Sequence, residues 1–161
     1  MPARAALPAL ALTVAAALTA CAGTEPEPPA LPDDVRVAYD RFWAAWTAAG
    51  ETSDPDLPLL AEHVAEPLLS TLRGNLEATR TADRVTRGRV GHRIEGWEAD
   101  ADARRIVDCV DLGGWLLHSR STGALQTGQL TGDRSQLTEI VLRPYDGRWK
   151  ATNMYILADR C

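Results

Sequence analysis

Asp108 and Asp111 are the residues whose type and spacing first invite a catalytic reading. The segment around them alternates in polarity with a period of two, as a strand does, so residues three apart face opposite sides. The two carboxylates therefore cannot form a close acid–base dyad. Asp108 shares its face with Ile106, Val110 and Leu112 and is the carboxylate turned toward the apolar side. Burial there would raise its pKa, as a general base near neutrality requires; the other reading is a structural aspartate paired with an arginine. The histidines, His63, His92 and His118, lie far apart with no ligand spacing between them, so neither a metal nor any other cofactor is expected.

The cysteines carry more information. Residues 7–18 form an apolar run preceded by a single charge, Arg4, and followed by Leu18-Thr19-Ala20-Cys21. A basic start, about a dozen apolar residues and a small-residue exit make a secretory signal. The run falls well short of the roughly 20 residues that a membrane-spanning helix needs. The tetrapeptide resembles the lipobox of bacterial lipoproteins, in which small residues let a peptidase hold extended backbone and the cysteine carries diacylglycerol. Residues 1–20 are thus expected as a cleavable signal and Cys21 as the lipid-bearing first residue of the mature chain. The alternative is ordinary cleavage after Ala20, leaving a free thiol. Two or more acyl chains, palmitate among them, would hold the protein stably on a membrane, at the extracytoplasmic face.

With Cys21 acylated, Cys109 and Cys161 remain as an even pair in an oxidising compartment, which points to a disulfide. The other reading is a buried thiol at 109 and a stray one at the terminus. Residues 22–32 contain four prolines and two glutamates; such a stretch buries no core and reads as a tether. About 130 residues follow, enough for one domain, 33–161, with one core. Losing Arg4 takes the formal charge from −5 to −6, so the basic footprint of a nucleic-acid partner is absent. Lys150 is the lone lysine among 17 basic residues, a codon bias of high-GC genomes such as those of actinobacteria.

The elements follow from periodicity. Val35, Tyr39, Phe42, Trp43 and Trp46 recur at helical steps, predicting a core helix over 33–49 with Asp33 as N-cap and Gly50 as C-cap. Asp56 is expected to cap a short helix over 59–65, and Pro67 to open a third through Leu68, Leu69, Leu72, Leu76 and Thr79. The arginine-rich stretch 79–93 reads as solvated surface leading into a strand. Strands are expected over 89–98, 104–112 and 115–121, then a loop over 123–133. Asp146-Gly147 is a two-residue turn signal between strands 136–145 and 148–158. A two-residue loop pairs Tyr145 with Arg148, Leu142 with Ala151 and Ile140 with Asn153. The core face would then carry Ile140, Leu142, Pro144, Trp149, Ala151, Tyr155 and Leu157, with Asn153 as its polar exception.

Three helices and then a strongly bent antiparallel sheet resemble the cone-shaped α+β fold named after nuclear transport factor 2 and shared with ketosteroid isomerase and scytalone dehydratase. More narrowly, Asp108-Cys109-Val110-Asp111, the turn Asp146 to Trp149 and the terminal Cys161 resemble small actinobacterial exported lipoproteins of that superfamily. The resemblance implies a concavity between sheet and helices, used for catalysis, binding or docking. Fold does not choose among these. The pocket-lining candidates are Tyr39, Phe42, Trp43, Trp46, Trp149, Asn153 and Tyr155. The acid–base candidates are Asp108 first, then Asp111, His118, His92, Tyr39 and Tyr155. The expectation is a membrane-tethered, non-enzymatic binding or accessory module for a small amphipathic ligand. The alternatives are an isomerase or dehydratase with Asp108 as base, and a docking domain for an envelope transporter or cell-wall protein.

Overall fold

The computed structural model describes residues 30–129, 134–158 and 160–161; the signal and the lipobox at Cys21 lie outside the described residues. Helix α1, Asp33–Thr52, buries Val35, Tyr39, Phe42, Trp43, Ala45 and Ala49, the stripe its period dictates. Its first turn carries Asp33 and Asp34 at the positive end of the helix dipole. The N-cap is Pro32 rather than Asp33, without a side-chain cap bond. Gly50 does not end the helix. A methyl group at 50 would overlap the Thr86 hydroxyl, so this glycine serves close helix–strand packing. The stop falls at Ser53, in left-handed conformation at φ 50°, with its hydroxyl donating to the Arg84 carbonyl at 2.7 Å.

Helix α2, Pro58–His63, has Leu57 at its N-cap, without a capping bond from Asp56. It ends at Val64, which turns extended and bridges to Ala151. Helix α3, Leu68–Thr81, buries Leu68, Leu69, Leu72 and Leu76. Six strands follow: β1 Arg84–Gly88, β2 Gly91–Asp100, β3 Ala103–Asp111, β4 Trp115–Ser119, β5 Ser135–Tyr145 and β6 Arg148–Ala158. β1 and β4 form a two-stranded sheet, and the other four an antiparallel sheet in the order β2-β3-β5-β6. β1 corrects the expectation of plain surface: its arginines conceal Val85, 2% exposed, which holds the strand against the helices.

The last hairpin turns at Asp146-Gly147, both at positive φ, and pairs Tyr145 with Arg148 and Leu142 with Ala151 as its turn chemistry dictates. Beyond that the register departs from the expectation. Asn153 sits opposite Val141 and Met154 opposite Ile140, because Thr152 is the extra residue of a β-bulge. A one-residue slip exchanges faces. Met154 joins the core, while Tyr155 moves opposite Glu139 and is 47% exposed, with Leu157 at 51%. The outer face is polar: Arg105 bridges Asp100 and Glu139, and Arg143 pairs with Asp102. On the inner face Tyr39, Phe42, Leu60, Leu72, Ile106, Ile140 and Leu142 are fully buried.

Candidate functional site

Two arrangements come out of this fold. The first lies inside it. α1 brings Tyr39 over β3, where Asp108 is fully buried, and β2 brings His92 alongside by pairing with Val110. The Tyr39 hydroxyl donates to Asp108 Oδ2, the Arg93 backbone N–H donates to Oδ1 at 2.9 Å, and His92 Nδ1 lies 2.9 Å from Oδ2. Tyr39 and His92 are 3.2 Å apart, and the Trp43 ring leans on the imidazole at 4.7 Å. Asp108 is on the buried face, as its strand period requires, but its partners are a tyrosine, a histidine and a backbone amide rather than an arginine. Both its oxygens are occupied. Chemically the unit is an oriented imidazole: a proton on Nδ1 toward Asp108 leaves Nε2 to accept, and about a quarter of that side chain is exposed.

The buried tyrosine has a measurable consequence. Burial pushes the Tyr39 hydroxyl far above the ordinary tyrosine range, and the hydrogen bond to Asp108 and its charge act in the same direction. Unfolded Tyr39 ionises near pH 10, whereas the folded residue keeps its proton. The stabilisation is therefore complete below about pH 10 and is lost as pH rises beyond it, by about 1.4 kcal/mol per unit. Urea unfolding of wild type and Tyr39→Phe should give stability curves that converge above pH 10. Parallel curves would refute the assignment.

The second arrangement is a groove of about 530 Å³, within the ~300–1,000 Å³ range of small-ligand sites, between the start of α1, the end of α2 and the tip of the β5–β6 hairpin. Its apolar floor is Val37, Ala38, Pro144 and Trp149; Asp33, Asp34, Arg41, Glu62, His63 and Arg148 form the rim. The α1 residues 34, 37, 38 and 41 recur at helical steps beside the core stripe. Trp149 is held upright by its indole N–H, which donates to Asp34 Oδ2 at 2.8 Å, and by the Arg104 guanidinium 5.1 Å from its ring. Next to Trp149, Lys150 donates to the Ala61 carbonyl of α2 at 2.9 Å. Burial lowers the His63 pKa from its ordinary value, and the nearby Arg41, Arg148 and Lys150 charges lower it further against Glu62.

Of the seven residues expected to line a pocket, Trp149 alone lines this groove. Tyr39, Phe42 and Trp43 are core. Trp46 is half-buried against Trp115, ring centres 6.1 Å apart. Asn153 is half-buried on β6, and Tyr155 points outward. Asp111 caps a turn through the Gly113 N–H at 2.7 Å, and His118 contacts the Gly123 carbonyl at 3.1 Å. Val37, Arg41, His63 and Arg148 were not among the residues expected at a site. The one available signal was Val37, an apolar residue off the core stripe of α1 and 45% exposed. Cys109 and Cys161 are disulfide-bonded, with α-carbons 5.7 Å apart. Among the described residues no cluster of His, Cys, Asp or Glu could hold a metal ion, and no helix is long and apolar enough to cross a membrane.

No family model and no curated protein sequence matches the chain. Among solved structures it is similar to the intermembrane space region of the chloroplast protein ARC6, with a TM-score of 0.62, 14% identity, and coverage of 81% of this chain and 99% of that one. At that identity the likeness is one of fold: three helices followed by a curved antiparallel sheet. A de novo designed protein with a curved β-sheet aligns at a TM-score of 0.41 and 15% identity, covering 76% of this chain and 97% of that one.

Proposed function

We propose that the protein is a lipoprotein of the cell envelope, tethered through Cys21 and the proline-rich residues 22–32, and acts as a non-enzymatic binding module. The observation that carries this is the groove, which is lined by the exposed Val37 and the half-buried Trp149. An exposed apolar floor with a polar rim is the composition of an amphipathic binding site. The Cys109–Cys161 disulfide supports an extracytoplasmic location, since such bonds persist in oxidising compartments. The fold's use in an intermembrane space region agrees with that setting.

The test uses the exported chain carrying Cys21→Ala, so that acyl chains do not compete for the groove. Titration with the neutral dye N-phenyl-1-naphthylamine should give saturable, blue-shifted emission with energy transfer from tryptophan. Val37→Glu should weaken it at least tenfold, and Trp149→Phe should remove most of the transfer. Equal binding by all three proteins would overturn the groove as the site. Native Cys21 should carry a diacylglyceryl adduct by mass spectrometry; an unmodified N-terminus on soluble native protein would overturn the tether.

A second reading rests on a different observation. Tyr155, Ile156 and Leu157 are all about half exposed at the end of edge strand β6, a surface that suits docking to an envelope protein. Ile156→Lys would abolish cross-linking to such a partner while leaving dye binding intact.

A further inference from the structure

We propose that the groove selects a single-chain amphiphile with an anionic head, a carboxylate or phosphate, whose tail lies on Val37, Ala38, Pro144 and Trp149 and whose head sits between Arg41 and Arg148 beside His63. This rests on the groove being the binding site and adds the chemical class of what it takes.

The rim carries both signs, Asp33, Asp34 and Glu62 with Arg41, Arg148 and His63. Asp33 and Asp34 stand in the first turn of α1, where the helix dipole partly offsets them, and Asp34 Oδ2 is engaged by the Trp149 indole. Arg41 lies about 10 Å further along the helix, seven residues at 1.5 Å each. Arg41, Arg148 and His63 line the same groove, and the Arg41, Arg148 and Lys150 charges act on His63 against Glu62. Lys150 is tied to the Ala61 carbonyl. Arg41 and Arg148 make no ion pair among the described residues. Two guanidiniums without an ion pair therefore line the groove together with the apolar Val37, Ala38, Pro144 and Trp149, on a chain with formal charge −5. Guanidinium forks match carboxylate and phosphate oxygens in a planar, bidentate way. Trp149, with Arg104 against its ring, provides a stiff wall for an alkyl chain.

The experiment follows displacement of N-phenyl-1-naphthylamine from the exported Cys21→Ala chain by three ligands of one chain length: decanoate, decanol and decyltrimethylammonium. Decanoate should displace the dye at least tenfold more tightly than decyltrimethylammonium, with decanol between them, and added salt should narrow the gap. Arg41→Gln combined with Arg148→Gln should erase the preference for decanoate over decyltrimethylammonium; both side chains are exposed, so the fold is retained. If the cationic ligand binds as well as decanoate, the anionic selectivity is overturned and the groove reading stands. If the dye itself fails to bind, both are overturned.

Discussion

Loss of the Cys109–Cys161 bridge should lower the unfolding free energy by about 4 kcal/mol. The two residues are 52 apart, and closing a loop of that size removes about that much chain entropy from the unfolded state. Domains of this kind are stable by roughly 5–15 kcal/mol, so the effect is a large share of the total. The bridge joins the end of β6 to β3 across the intervening strand β5, so it holds three of the four strands of the larger sheet. Guanidinium unfolding of oxidised protein and of Cys109→Ala with Cys161→Ala measures the difference directly. The reduced protein should still bind dye wherever it is folded, because the groove lies at the opposite, hairpin end of β6. A loss below about 1 kcal/mol would mean that the β5–β6 hairpin already restricts the unfolded chain.

Asp108→Ala should be comparably costly, at about 3 kcal/mol or more. Removing the carboxylate strands the buried Tyr39 hydroxyl and takes a partner from the part-buried Arg93 amide and His92 ring nitrogen. Each buried group left without a partner costs about 1–3 kcal/mol. Tyr39→Phe removes a single donor, leaves Asp108 with its other two, and should cost about 1 kcal/mol at neutral pH. The double variant should lose less than the sum of the two, the signature of residues in one network. Denaturant midpoints of the four proteins complete the cycle. Strict additivity would show that Tyr39 and Asp108 do not act as a unit. Dye binding should survive in Asp108→Ala under folding conditions, since none of Tyr39, His92 and Asp108 lines the groove. Loss of binding in a folded variant would tie the cluster to the site.

Local chemistry carried a good part of this fold. The aromatic stripe of α1 reads directly from its three- and four-residue steps, and the same residues form the core. Asp146-Gly147 specifies its turn, because both residues tolerate positive φ in a two-residue hairpin loop. The strand period alone places Asp108 on the apolar face. Parity pairs Cys109 with Cys161. The first three depend on a residue and its near neighbours and the last on a count of cysteines, so the sequence determined them by itself.

What only the tertiary structure decided are matters of register and seam. The bulge at Thr152 shifts the register of the last hairpin, and no local period announces it. It moved Tyr155 from the inner face to the outer one and brought Met154 into the core. Gly50 resembles a C-cap until β1 packs against it, and β1 itself was hidden because a strand with one buried residue, Val85, has no detectable alternation. Trp149 was expected to face the interior of the cone. It does pack against the core, and it also lines the groove where α1, α2 and the hairpin meet, with Val37, Arg41 and His63. A groove built from three separate segments exists only once those segments are packed, since no spacing within one of them encodes the distance to the others.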